Sequence, residues 1–239
     1  MTETSKKTEF CKGFKMGVPI ALGYLSVAFT FGVMAASGGM NPWLAIFESL
    51  SNLTSSGQFA GTKLILASGS LLEIALTVFV INIRYILMSI SLSQKFDSSV
   101  GTRQRIIIGY GVTDEVFALA SVQEKKLTAP FMYGLILSPV LGWTSGTAIG
   151  AFASDFMTES LSLAMGIAIY AMFIAVIVPE MKKSRAVIFT VILAVAIMTA
   201  LTYIGIFSFI SDGFKVIITT LLASGIAAAL FPVREGGES

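Results

Sequence analysis

Apolar residues run through this chain in long blocks, separated by brief polar punctuation such as "GGMN", "GS", "QKFDSSVGTRQR", "QEKKLT" and "EMKKSR". Eight blocks can be marked, at residues 14–37, 42–68, 71–93, 106–122, 129–152, 161–179, 186–209 and 214–232. Most approach the roughly 20 apolar residues a helix needs to cross a bilayer. Lipid offers no hydrogen bonds to the backbone, so such segments satisfy themselves as helices. The pattern predicts an all-α, polytopic transmembrane helical bundle of about eight spans, or seven if 42–68 does not cross. One transporter-sized domain covers 14–232, between an N-terminal tail (1–13) and a C-terminal tail (233–239). The polar, basic start of the chain lacks a short apolar core followed by a small-residue cleavage site, and reads as a retained cytoplasmic tail.

Composition narrows the chemistry. The 239 residues are 55% hydrophobic and only 13% charged, about half the charged share of a soluble domain. There is no histidine and one cysteine, Cys11. That removes His-ligated zinc, Ser-His catalysis and intrachain disulfides; no metal or cofactor is expected. Asp114 is the one aspartate deep in a span, so an intramembrane aspartyl dyad is missing too and the chain does not read as an enzyme. With eight spans and an inner N-terminus, basic residues divide ten inside against four outside, as the positive-inside rule asks. Lys95, Arg103 and Arg105, in the 95–105 loop, fall on the wrong side of that tally. Lys63 reads as reaching the cytoplasmic interface.

Polar residues inside the apolar blocks carry the functional signal, because a charge at mid-bilayer costs roughly 2.5–3.5 kcal/mol and usually faces a bundle interior. Arg84 lies mid-block in "VFVINIRYILMS", Asp114 and Glu115 in "GYGVTDEVFALA", and Gln58 in "SNLTSSGQFAGTKL". Glu73, Thr77, Arg84 and Ser91 form one helical stripe; Tyr110, Asp114 and Ser121 form another. Arg84 can pair with Asp114 or Glu115, either to fix packing or to line a substrate path. The polar run reads either as a broken helix around residues 51–61 or as a continuous helix packed through its Ser, Thr and Gln side chains. A break exposes backbone N–H groups at the start of its second half, an electropositive end suited to carboxylates. Gly142, Gly146 and Gly150 repeat every fourth residue and predict a flat face for close helix approach. A faint internal echo, "FGVMAASGGM" at 31–40 and "IGAFASDFMT" at 149–158, suggests two parallel halves.

Taken together and in order, "GQFAG" after a Ser/Thr run, "NIRY", "TDEVFA" and "GWTSGTAIGAF" resemble the AzlC family of branched-chain amino acid permeases over roughly residues 14–180. The resemblance implies an exporter of valine, leucine and isoleucine in the bacterial inner membrane, driven by the proton-motive force and assembled with a small AzlD-type membrane subunit. Two features depart from the family pattern. Glycine directly precedes Gln58, which shifts any helix break. Span six reads "TESLSLAMG", leaving Glu159 as a rough stand-in for an acidic residue.

On this reading the substrate-binding residues are Ser55, Ser56, Gly57, Gln58, Asn82, Arg84 and Asp114, with Asp114 and Glu115 as the proton-coupling pair. The substrate carboxylate meets N–H groups near Ser55–Gln58, its amine meets Asp114, and Ile81 and Phe117 take the aliphatic side chain. One methylene is worth only about 1–3 kcal/mol of discrimination, so methionine is expected to pass as well. The rival reading is a non-transporting scaffold or channel subunit of a membrane complex.

Overall fold

The computed structural model describes residues 3–157, 174, 177–179 and 181–232. The described residues are helical and contain no strand beyond a single bridge between Phe96 and Leu127. The sixth apolar block, Glu159 and the tail 233–239 lie largely or wholly outside the described residues.

Two long helices make the frame: α1 (Glu3–Ser37) and α8 (Ala129–Ala153). They run side by side in the same direction. Gly13 lies on Phe131, Gly142 on Ala21, Gly146 on Leu25 and Gly150 on Phe29, so the pairing advances together along both chains. A Cβ built on Gly142 would sit 2.8 Å from Ala21 Cα, inside any normal contact. The Gly142/146/150 ladder thus performs the close approach expected of small-residue faces. Their common direction defines a proximal end, where α1 and α8 begin, and a distal end, where they finish. The described parts of the internal echo, residues 31–40 and 149–157, lie together at the distal end.

Between these helices the chain departs from simple crossings. α1 stops at Gly38–Gly39, Gly39 taking a φ of +95° that suits glycine. Asn41, its side chain accepting from Trp43 N, and Pro42 then start α2 (Pro42–Ser51). After a break at 52–55 comes α3 (Ser56–Leu66). These two helices are antiparallel: Thr62 donates to Glu48 at 2.8 and 2.9 Å, and Gln58 to Ser49 at 2.7 Å. Trp43 packs edge-on against Phe152 at the distal end, Ser49 meets Thr147, and Gln58 meets Trp143 halfway down α8. Leu66 returns to Gly38 at the distal end. Residues 42–68 therefore enter and leave at one end, as a hairpin whose tip is 52–55.

Next, α4 (Leu71–Asn82), capped by Ser70, and α5 (Arg84–Ser93) form one path bent by 42° at Ile83. It runs from the distal end to the proximal one. There Lys95 donates to the carbonyls of Ser121 and Gln123 and accepts from Leu127 N, beside the start of α8. α6 (Thr102–Tyr110) climbs back alongside α5 to Gly111, which packs on Ile136. α7 (Asp114–Ser121), capped by Thr113, descends again to the proximal end. So 106–122 is a second hairpin, opposite in sense to the first. Its tip meets the other: Tyr110 OH donates to the Leu50 carbonyl.

α9 (Arg185–Tyr203) and α10 (Asp212–Leu230) are antiparallel, with Phe189 on Phe231 and Thr219 near Met198. α10 starts at the distal end, where Glu73 Oε1 accepts from Gly213 N at 2.9 Å and from the Ser211 hydroxyl. Among the described residues four helices are long and apolar enough to cross a membrane, five if the bent α4–α5 pair is one span.

The count of about eight crossings is not confirmed: block 106–122 doubles back, and block 42–68 does so too, as the alternative of a block that does not cross allowed. Lys63 consequently lies toward the distal end, away from the cluster formed by Lys12, Lys125 and Lys126. The expected stripes also part company. Glu73 and Thr77 are buried against α10, Ser91 is exposed, and the 111–113 turn separates Tyr110 from Asp114.

Candidate functional site

A cavity of about 470 Å³ lies where the two hairpin tips and the α4–α5 bend converge on α1 and α8. Its polar lining is Ser55, Ser56, Arg84, Asp114 and Glu115, together with Tyr24 from α1. Five residues expected from sequence to act together are thus brought into one chamber from three separate helix starts. α3, α5 and α7 each present their first turn here. The positive ends of helices favour anions. Asp114 and Glu115 answer that field at α7, and Thr113 caps it by accepting from Val116 N at 3.4 Å. At α3, Ser55 makes no side-chain cap among the described residues and holds a φ of +41°. A serine in that region is strained, and such strain gathers at ligand sites.

Arg84 pairs with Asp114, Nη1 to Oδ2 at 2.9 Å. Its Nη2 also donates to the Tyr85 hydroxyl at 3.3 Å, and its Nε has no hydrogen-bond partner among the described residues. Glu115 takes the other direction and accepts from Tyr24 OH. The two adjacent carboxylates, about 100° apart on a helix, therefore have different partners. The side chains of Arg84 and Asp114 are 42% and 40% exposed, so the pair faces the chamber and is not sealed in packing.

The remaining expected residues stand behind this wall. Gln58 is fully buried: it donates to Ser49 and accepts from Trp143 Nε1 at 2.8 Å, while Ser49 and Thr147 share a hydroxyl contact at 2.6 Å. Both ends of its amide are used, which makes it a strut between α2, α3 and α8 and leaves it no atom for the cavity. Removing it leaves Trp143 Nε1 and Ser49 short of partners at about 1–3 kcal/mol. Gln58→Ala is therefore expected to lower the melting temperature in detergent with a proportionate fall in folded yield, checked by thermal unfolding.

Gly57 sits against Asn82; a Cβ there would come 2.6 Å from Asn82 Oδ1. Asn82 is half-buried, and its Oδ1 lacks a partner among the described residues. It supports the tip and does not line the cavity. Ile81 is not in the lining either, and Phe117 packs on the proximal core beside Leu92, Val116 and Met132. The apolar wall comes instead from Pro19, Ile20, Val27, Trp143 and Ile177.

Three contributors escaped the sequence reading. Tyr24 stands in "GVPIALGYLS" as a lone hydroxyl-bearing ring in an apolar stretch. Trp143 was visible only as part of "GWTSG". Glu48, a charge inside "PWLAIFESLS", went unweighed; it accepts from Thr62 and pins the first hairpin closed.

Chemically, the chamber offers a guanidinium and uncapped N–H groups on one side, carboxylates on another, and an aliphatic and aromatic floor. That set matches both charged groups and the side chain of a small apolar zwitterion. No His/Cys/Asp/Glu grouping suited to a metal ion occurs among the described residues.

The inner membrane protein YgaZ of Escherichia coli (strain K12) is 28% identical over 206 residues, covering 83% of this chain and 82% of that protein. An uncharacterized membrane protein of Archaeoglobus fulgidus is 33% identical over 76% of this chain and 80% of its own length. The branched-chain amino acid transport protein AzlC of Bacillus subtilis (strain 168) is 23% identical over 74% of this chain and 69% of its own. No solved structure matches. The AzlC protein family matches residues 19–157, the stretch that holds both hairpins, the bend, α8 and the second half of α1, and the chain belongs to that family.

Proposed function

We propose that this chain is a secondary transporter, not an enzyme, that exports valine, leucine, isoleucine and methionine across the bacterial inner membrane. Its single strongest support is the cavity that joins Arg84, Asp114 and Glu115 to the tips of two opposed hairpins. The Arg84 guanidinium and the first turn of α3 take the substrate carboxylate. Asp114 takes its ammonium, and the Ile20, Val27 and Trp143 wall takes the aliphatic side chain. Coupling runs through protonation of Asp114 or Glu115, and a small AzlD-type membrane subunit completes the transporter.

The proximal end is the cytoplasmic one in this reading. Lys6, Lys7, Lys12, Lys15, Lys95, Arg103, Arg105, Lys125, Lys126, Lys182, Lys183 and Arg185 gather there, against Lys63 and Lys215 at the distal end. This is a stronger inside bias than eight crossings supply, and the 95–105 loop no longer violates it. Among the described residues the count becomes five crossings and two re-entrant hairpins.

Counterflow of labelled valine and leucine in proteoliposomes, with and without the small subunit, tests the proposal. Uptake of label against preloaded amino acid is the expected result. Its absence with the subunit present leaves the scaffold reading. Asp114→Asn is expected to raise the half-saturation concentration in counterflow and to lose stimulation by an imposed pH gradient; a mutant still driven by that gradient removes Asp114 from coupling.

A further inference from the structure

A second cavity, about 660 Å³, opens at the distal end between α3, α4 and α10. Lys63, Glu73, Ser211 and Asp212 line it, an odd choice for a surface facing lipid and a natural one for a surface facing water. Lys63, Ser211 and Asp212 are exposed at its mouth, while Glu73 and Thr77 are 6% and 1% exposed deeper in. Thr77 Oγ1 is buried and has no hydrogen-bond partner among the described residues. An unpaired hydroxyl in an apolar setting costs free energy unless water or a solute reaches it. Ser56 lines this cavity and the central one alike.

We infer that the cavity between α3, α4 and α10 is the distal vestibule of the transport path, carrying water and zwitterionic solute to the central chamber past Ser56. The inference rests on the carrier reading above. α10 forms its outer wall, and Glu73 is a positioning residue that holds this wall. Its carboxylate takes the place of an anion at the α10 N-terminus by accepting from Gly213 N and the Ser211 hydroxyl. Gly213 is required for that approach, since a Cβ there would lie 2.6 Å from Glu73 Cγ.

The test uses the single native cysteine to advantage. In a Cys11→Ser chain, Ala60→Cys and Val216→Cys place a thiol on opposite walls of the cavity, and Ser99→Cys marks the proximal end. A membrane-impermeant cationic methanethiosulfonate is added to each side of sealed vesicles in turn, and both labelling and valine exchange are read. The expected result is that both vestibule thiols react only from the side opposite Ser99→Cys, and that reaction reduces exchange to background. No reaction from either side, reaction only from the Ser99 side, or full exchange after complete reaction overturns the inference. If one variant fails to fold, the other asks the same question from the facing wall. Absence of exchange in the unlabelled Cys11→Ser parent is a separate failure, of the carrier reading, and leaves the sidedness of labelling readable.

Discussion

Arg84→Ala is expected to reduce valine counterflow to background while the chain still inserts and purifies in normal yield. Arg84 is the one basic side chain on the central cavity among the described residues, so its removal takes away the charge that would meet a substrate carboxylate. A hydrogen bond to a charged group is worth about 1.5–3 kcal/mol, which converts to roughly a ten- to hundredfold weaker apparent affinity. Asp114 would at the same time lose its 2.9 Å partner. Arg84→Lys separates the two contributions. It keeps the charge but not the fork that bonds two groups at once, so partial exchange with a raised half-saturation concentration is the outcome that assigns the role to geometry. Normal counterflow by Arg84→Ala would reduce the pair to a packing contact.

Gly146→Leu should yield no folded protein, or protein lost on detergent extraction, as read by monodisperse recovery on gel filtration. The seam between α1 and α8 is backbone against backbone: Gly146 faces Leu25, with its would-be Cβ 3.0 Å from both Leu25 Cα and Ala28 Cβ. Overpacking a core usually costs about 1–3 kcal/mol, absorbed by flexible side chains that shift. Here main chain is the obstacle and cannot shift alone, so the cost is expected to exceed about 3 kcal/mol. Gly109→Leu is the matched control, because nothing lies within 4 Å of a Cβ at that position. Equal recovery of both variants would mean that the seam is looser than its geometry says.

The helical class, the Gly142/146/150 seam and the chamber residues Arg84, Asp114 and Glu115 were all legible in the sequence. Each rests on a local rule: apolar block length, four-residue spacing, and the cost of a charge in lipid. The folding back of 106–122 was not legible, and that of 42–68 was legible only as the alternative of a block that does not cross, because a hairpin of two short helices has the length and hydropathy of one crossing helix. Pairings such as Glu48 with Thr62 and Lys95 with Ser121 reveal it, and these are contacts that block length does not encode. The misfit of Lys95, Arg103 and Arg105 with the charge tally was the trace left in the sequence. Helical-wheel reasoning failed at Tyr110 and Asp114 for the same reason, since a turn at 111–113 resets the phase. Gln58 illustrates a different limit. A polar residue at depth signals a partner, but burial alone tells a strut from a ligand contact.

The meeting of the two hairpin tips through Tyr110 and Leu50 has an electrical consequence. A transmembrane potential falls across whatever insulates, and each unit charge crossing the whole of it gains about 2.3 kcal/mol per 100 mV. In the proposed topology, hairpins that reach in from opposite faces and meet at their tips would let aqueous approaches penetrate from both sides and leave a thin septum there. Most of the voltage would then drop over the few ångströms that hold Arg84 and Asp114. On the carrier reading proposed above, a proton or ammonium stepping across that short interval would do nearly the full electrical work of crossing the bilayer, with little movement of the protein around it.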